Sequence, residues 1–313
     1  MATVLVTGAA GFIGSHTCEH LLAAGHRVVG VDNFRTGRPE NLGAVGGHPS
    51  FRFVNVDVTD GIAFEAVVAE AKPAAMIHLA ALVSVPESLQ DPVANFRLNL
   101  VATFHLAEAA RRHHVARVVF ASSAAVYGNA TDVPLREDSA LQPLSPYGGA
   151  KLASEALLFS HARSFGFTAR CLRYFNVFGP RQDPRSPYSG VISIFAEKMA
   201  RGAAPVIFGD GEQTRDFISV HDVARANVLA ATRPGVDHGV TNICTGRAIS
   251  LNQLATIMRL IHPGAPAPSH ATARPGDIRH SVGAPDRARV ELNFAAEKSL
   301  HACLAELKST PAA

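Results

Sequence analysis

The stretch Thr3-Val4-Leu5-Val6-Thr7-Gly8-Ala9-Ala10-Gly11-Phe12-Ile13-Gly14 decides the fold. Thr3 to Val6 is a short apolar, β-branched run that reads as a strand feeding straight into three glycines. Past them Phe12, Ile13, Cys18, Leu21 and Leu22 recur at roughly helical spacing, so the order is strand, glycine turn, helix. In that order Gly8 allows the tight turn, Gly11 lets the backbone approach a pyrophosphate, and Gly14 lets the helix pack on the strand. The helix N-terminus then faces the phosphate charge. The spacing is G-x-x-G-x-x-G, one residue longer than the commoner dinucleotide fingerprint, and an ordinary glycine turn would carry the same residues.

A second strand, Arg27 to Val31, ends in Asp32. An acid at about this distance accepts hydrogen bonds from the adenosine ribose diol and repels a 2′-phosphate, which favours NAD over NADP. Arg35, close behind, argues the other way.

Further strand-like runs at 51–56, 75–79, 117–121 and 169–174 alternate with helical patterns around 61–71, 91–113 and 147–165. Such alternation implies right-handed crossovers and a Rossmann-type, doubly wound parallel sheet covered on both faces, an α/β fold. After Tyr174 the regularity breaks, and 179–190 is rich in Pro, Arg and Ser. A strand-like run at Val240 to Cys244 returns to the sheet, and a Pro/Gly-rich segment at 263–276 leads into a polar C-terminal part. The expected division is a nucleotide-binding domain over 1–175, also receiving about 215–245, and a smaller, discontinuous α/β substrate lobe of 176–214 and 246–313.

The net charge is +3 and no dense Lys/Arg run occurs, so nucleic acid is not an expected partner. Cys18, Cys171, Cys244 and Cys303 lack metal-type spacing, so no metal site is expected, and free thiols suit a reducing cytosol. No apolar stretch reaches about 18 residues, so a soluble, cytoplasmic chain with no membrane span is expected.

Tyr147 and Lys151 are four apart at the start of the 147–165 pattern and share one helix face. A tyrosine ionises near pH 10 and is a poor base at neutrality. A neighbouring ammonium and the positive nicotinamide of an oxidised cofactor stabilise its phenolate. The pair therefore suits taking a proton from an alcohol while hydride leaves the same carbon; an exposed Tyr/Lys pair would look the same in isolation. Ser122 and Ser123 follow the 117–121 run, at the carboxyl edge of the sheet where such folds place their sites. A hydroxyl there can bond both the reacting oxygen and the tyrosine.

Gly8/Gly11/Gly14, Asp32-Asn33, His78-Leu79-Ala80-Ala81, Asn99, Ser122-Ser123-Ala124-Ala125-Val126-Tyr127-Gly128 and Tyr147…Lys151 resemble the extended short-chain dehydrogenase/reductases. The run from Arg173 to Pro184, the stretch 209–217 and Arg274-Pro275-Gly276-Asp277 narrow the resemblance to NAD-dependent nucleotide-sugar epimerases of the UDP-glucose 4-epimerase type, over about residues 2–294. The resemblance implies epimerisation at C4 of a UDP-sugar (UDP-glucose/UDP-galactose, with the N-acetylhexosamine forms open) through a transient 4-keto intermediate. Tyr147 would be the base, Ser123 would align the oxygen, and Lys151 would also hold the nicotinamide ribose.

By the same matching NAD would touch Phe12, Ile13, Asn33 and Arg35 besides the glycines and Asp32. Asp57 and Val58 would lie near adenine. Leu79, Ala80, Ala81, Asn99, Ser122 and Tyr174 would complete the cofactor site. Ser84, Asn176 and Val191 would join Ser123 and Tyr147 at the substrate, while Arg215, Arg274 and Asp277 would grip the UDP moiety, arginines being able to bind two oxygens each. Ser281, four residues after Asp277, would bound the sugar at C2, and its small size leaves space for an acetamide. Asp183 would disfavour a sugar acid at C6 by like-charge repulsion, with Arg185, two residues on, able to offset it.

A nucleotide-sugar 4,6-dehydratase, the nearest alternative, needs an acid/base pair where this chain has Ala124 and Ala125. Another NDP-sugar-modifying member of the superfamily stays open, and a non-catalytic NAD-binding scaffold is disfavoured by the intact Tyr147, Lys151 and Ser123. A homodimer is expected, because the 91–113 and 147–165 helices carry apolar residues on more than one face: Leu98, Leu100, Val101, Phe104 and Leu106 on one, Leu152, Leu157, Leu158 and Phe159 on the other.

Overall fold

A computed structural model of the chain describes residues 1–183, 190–273 and 278–309. The first strand β1 (Thr3–Thr7) leads through the glycine turn into α1 (Phe12–Ala23), then β2 (Arg27–Asp32), β3 (Phe51–Asn55), α2 (Gly61–Ala71) and β4 (Ala75–His78). Short helices α3 (Val85–Gln90) and α4 (Pro92–Asn95) precede α5 (Ala102–Arg112), β5 (Arg117–Ser123), α6 (Pro146–Phe165) and β6 (Thr168–Tyr174). These strands pair in parallel in the order β6-β5-β4-β1-β2-β3.

Alternation along β1 explains why both sheet faces are covered. Val4 and Val6 point into one cluster with Leu21 of α1, Ile77 and Leu172. Leu5 points into the opposite one with Phe64 of α2, Leu106 of α5 and Leu158 of α6. All of these side chains are buried, as a parallel sheet requires.

Helix starts are written locally. The Asp60 side chain accepts from the Ala63 N–H to open α2, and Ser145 does the same for Gly148 at the head of α6, where Pro146 takes the first helical position. The 91–113 pattern is not one helix. Between α4 and α5 the segment Phe96–Val101 is π-helical. That wider turn accompanies an inward Asn99, whose Nδ2 donates to the Leu82 carbonyl (3.0 Å) and to Asn95 Oδ1 (2.8 Å).

The chain then leaves the sheet. β7 (Asn176–Phe178), α7 (Val191–Ala200), β8 (Val206–Phe208) and β9 (Thr214–Arg215) lead to β10 (Phe217–Ser219), which pairs with β7. Helix α8 (Val220–Thr232) packs along α1, and β11 (Gly239–Ile243) adds to the outer edge of β6. The remaining elements are β12 (Ile249–Ser250), α9 (Leu251–Ile261), β13 (Ser269–Ala271), β14 (His280–Ser281) and α10 (Leu300–Ser309).

The second lobe has its own core, with Phe178, Ile192, Phe195, Ile207, Leu254 and Met258 among its members. Ala288, Leu292 and Phe294, although late in sequence, pack with α1 and α8 against the large sheet. Among the described residues no helix is long and apolar enough to cross a membrane.

Candidate functional site

The carboxyl ends of β1, β2, β4, β5 and β6 converge on a cleft of about 810 Å³ between the sheet and the β7–α7 segment. β1 lies between β2 and β4, so the crossovers diverge there, and the cleft opens at that switch point.

The turn after β1 leaves no room for a side chain at Gly8 or at Gly14. Gly8 has φ +71°, and a Cβ on it would come 2.8 Å from the Ala80 amide. A Cβ on Gly14 would come 1.9 Å from the Gly8 carbonyl oxygen, so α1 could not approach the turn. Thr7 explains why Ala80 is so near: its Oγ1 accepts from the Leu79 and Ala80 amides, each at 3.2 Å, and meets His78 Nδ1 at 2.7 Å. Burial first, and the Lys151 charge second, hold His78 neutral with its pKa down to about 3. At the tip of β2, Asp32 Oδ1 accepts from the Phe34 amide (2.8 Å) and Oδ2 from the Ala10 amide (3.0 Å). Burial raises its pKa against these bonds. Gly8, Gly11, Phe12, Ile13, Gly14, Asp32, Asn33, Arg35, Asp57, Val58, Leu79, Ala80 and Ala81 all line this half of the cleft. A glycine cradle at a helix N-terminus, with an acid at the next strand's end, fits a dinucleotide.

The other half carries the proton-handling groups. Ser122, Ser123, Tyr147, Lys151 and Tyr174 line it with Ser84, Asn176 and Val191. Burial raises the Tyr147 phenol's pKa, and a hydrogen bond with Ser123 opposes the rise. Lys151 Nζ donates to the Ala121 carbonyl (2.8 Å) and stands 5.8 Å from the Tyr147 ring centre. Burial pulls its pKa down to about 7, with Cys171 and Glu155 pushing back. Beneath them Arg173 grips Glu155 through Nε (2.9 Å) and Nη2 (2.7 Å), and Glu155 also accepts from the Ser122 hydroxyl. This buried pair fixes the end of β5 to α6, and so fixes Ser123 relative to Tyr147. The Ser84 hydroxyl oxygen caps α3 by accepting from the Glu87 amide (2.9 Å), leaving its proton to donate.

Several expected residues lie elsewhere. Asn99 is buried behind the cleft, and its Oδ1 has no partner among the described residues. Arg215 and Ser281 face each other in register on β9 and β14, outside the cleft lining. Arg274 and Asp277 lie outside the described residues. Asp183 lines the cleft, but its carboxylate is paired with Arg38 Nη2. The Asp183 charge is thus partly countered by Arg38, while Arg185, two residues on, lies outside the described residues.

Arg38, Glu87 and Arg181 also line the cleft. Sequence spacing gave them no role, because they come from three separate segments and meet only in the fold. Arg181 holds φ +68° and pairs with Glu19, while its Nη1 is buried with no partner among the described residues.

The family described as the NAD dependent epimerase/dehydratase family matches residues 4–244. The chain is 39% identical to the UDP-glucose 4-epimerase of Mycolicibacterium smegmatis over 297 residues, 95% of this chain and 94% of that one. Two solved structures overlie it closely. The UDP-N-acetylglucosamine 4-epimerase of Methanobrevibacter ruminantium, in complex with UDP-N-acetylmuramic acid, has a TM-score of 0.93 at 36% identity, covering 98% of this chain and 97% of that one. The UDP-glucose 4-epimerase of Thermotoga maritima with UDP-glucose has a TM-score of 0.92 at 37% identity, with the same two coverages.

Proposed function

The chain belongs to the NAD dependent epimerase/dehydratase family, and from that premise we infer that it interconverts UDP-sugars at C4 with NAD as its cofactor. The observation that carries this reading is one cleft with a glycine cradle and Asp32 at one end and Tyr147, Ser123 and Lys151 at the other. The glycine turn, Asp32 and Lys151 would hold the cofactor, which when bound supplies a hydride acceptor and the positive charge that favours phenolate.

The chain's own groups handle the proton. Tyr147 takes it from the sugar 4-OH, and Ser123 donates to the reacting oxygen and keeps the phenol in line. Lys151, anchored on the Ala121 carbonyl, adds positive charge beside the phenolate. The 4-keto sugar turns within the site, and Tyr147 returns the proton when hydride is delivered to its other face. Dehydration at C6 lacks a carboxylate, since Ala124 and Ala125 follow Ser123.

UDP-glucose and UDP-galactose are the proposed substrates, with the N-acetyl forms left as further candidates, since Ser281 is small but stands outside the cleft lining. The β9–β14 pair that carries Arg215 is proposed as the nucleotide end. The active unit is proposed to be a homodimer in a reducing cytosol. The exposed Val93, Phe96 and Phe104 support the dimer, and four buried cysteines outside any disulfide support the compartment.

The test is to incubate the purified protein with UDP-glucose, UDP-N-acetylglucosamine and a dTDP-hexose and to resolve the products. Each UDP-sugar is expected to yield its 4-epimer with no net change in nicotinamide oxidation state. A 4-keto-6-deoxy product, or conversion of the dTDP sugar alone, overturns the reading.

A further inference from the structure

Arg35 stands three residues past Asp32, at the adenosine end of the cleft, where a guanidinium would neutralise a ribose 2′-phosphate. Its charge is not directed there. Arg35 Nη2 is paired with Glu87 Oε1, while the Arg35 amide donates to Asn33 Oδ1 at 3.0 Å. Asn33 Nδ2 in turn donates to Asp57 Oδ2 at 3.0 Å, and Asp57 Oδ1 accepts from Thr59. Asp32 has both oxygens on backbone amides. Among the described residues, Glu87 is the acid that forms an ion pair with Arg35.

Glu87 is held firmly enough for this task. It lies in the first turn of α3, with its amide on the Ser84 hydroxyl oxygen. Arg35 and Glu87 both line the cleft and come from separate segments, one following β2 and the other on α3 after β4. The pair is partly exposed, with side chains 36% and 23% accessible, so water and salt reach it and the arginine can re-aim once released.

Building on the NAD assignment above, we propose that Glu87 is a determinant of cofactor choice that acts through Arg35. Asp32 rejects a 2′-phosphate directly. Glu87 rejects it indirectly, by holding away the cation that would otherwise welcome the phosphate. Discrimination between two ligands is set as much by what is withheld from the wrong one as by contacts to the right one.

The test uses the retained nucleotide as its readout. Purified protein is equilibrated with equal excesses of NAD+ and NADP+, desalted and acid-extracted, and the two nucleotides are quantified. Glu87→Gln keeps the side-chain shape and removes the charge. It is expected to raise the retained NADP+:NAD+ ratio about tenfold, and Glu87→Gln with Arg35→Gln to return it to within about twofold of wild type. Arg35→Gln alone is expected to leave the ratio no higher than wild type. An unchanged ratio in Glu87→Gln overturns the proposal, as does a gain that survives loss of Arg35. A wild-type chain that retains neither nucleotide overturns the NAD assignment itself, and this inference with it.

Discussion

Lys151 is buried against Phe120 and Tyr147, with its ammonium on a single carbonyl, Ala121 O. In the proposed mechanism Tyr147 accepts the proton through its hydroxyl, and its ring only packs. Tyr147→Phe is expected to cut epimerisation at least a hundredfold, about 2.7 kcal/mol of barrier, with nucleotide still present in the acid extract. Retention of a tenth of wild-type turnover sinks the assignment. The buried histidines make a second statement at this scale. His78 and His16 are held neutral by burial, with pKa values down to about 3 from an ordinary 6.5. Between those values the unfolded chain binds protons that the folded chain refuses, so stability falls as pH drops from about 6.5 towards 3. Chemical denaturation at pH 7.5 and pH 5 is expected to give a clearly lower midpoint at pH 5. An equal or higher midpoint at pH 5 contradicts their buried, neutral state.

At the scale of elements, the turn between β1 and α1 is the least forgiving. A Cβ on Gly14 cannot share space with the Gly8 carbonyl, so Gly14→Ala must push α1 off the sheet. Overpacking of this kind costs about 2 kcal/mol or more. The variant is expected to melt several degrees lower and to lose bound nucleotide on desalting, and normal retention contradicts the cradle. For β14, Ser281→Tyr is expected to lose UDP-N-acetylglucosamine turnover at least tenfold while sparing UDP-glucose; equal effects on both sugars rule out a gate at this position. This scale also divides what the sequence announces from what it hides. The strand after strand of buried Val, Leu and Ile, and the strand–glycine–helix order at Thr3 to Gly14, follow local rules and were readable. The π-helical break at Phe96–Val101 was not, because the pull on Asn99 comes from Leu82, seventeen residues away. Arg38, Glu87 and Arg181 stayed unread for the same reason: each owes its place to a partner from another segment.

For the whole molecule, the surface beside α4 and the π-helical turn is unusually apolar. Val93 is 76% exposed, Phe96 54% and Phe104 43%, while Leu98, Leu106 and Leu158, also expected at an interface, are buried within the chain. The helical pattern signalled apolar residues on several faces; which face stays bare depends on how α5 and α6 pack on the sheet. Sedimentation at micromolar concentration is expected to show a species of twice 33.0 kDa, and Phe96→Glu to shift it to the single-chain mass. A wild-type protein that sediments as one chain removes the dimer.

The late return of α8 and β11 to the large sheet sets a timetable for synthesis. All six strands from β1 to β6 have been translated once Tyr174 is made. One face of that sheet, with Leu21, Ile77 and Leu172, is covered in the finished protein by Val223, Ala226 and Ala230 of α8, some fifty residues further on. A ribosome therefore carries, for the seconds needed to add that stretch, a half-clad sheet with a greasy flank and an open outer edge on β6. A protein built this way is most vulnerable to misassociation in the middle of its own translation, and the helix that ends the exposure is the one that seats itself on α1, the helix that follows the glycine turn.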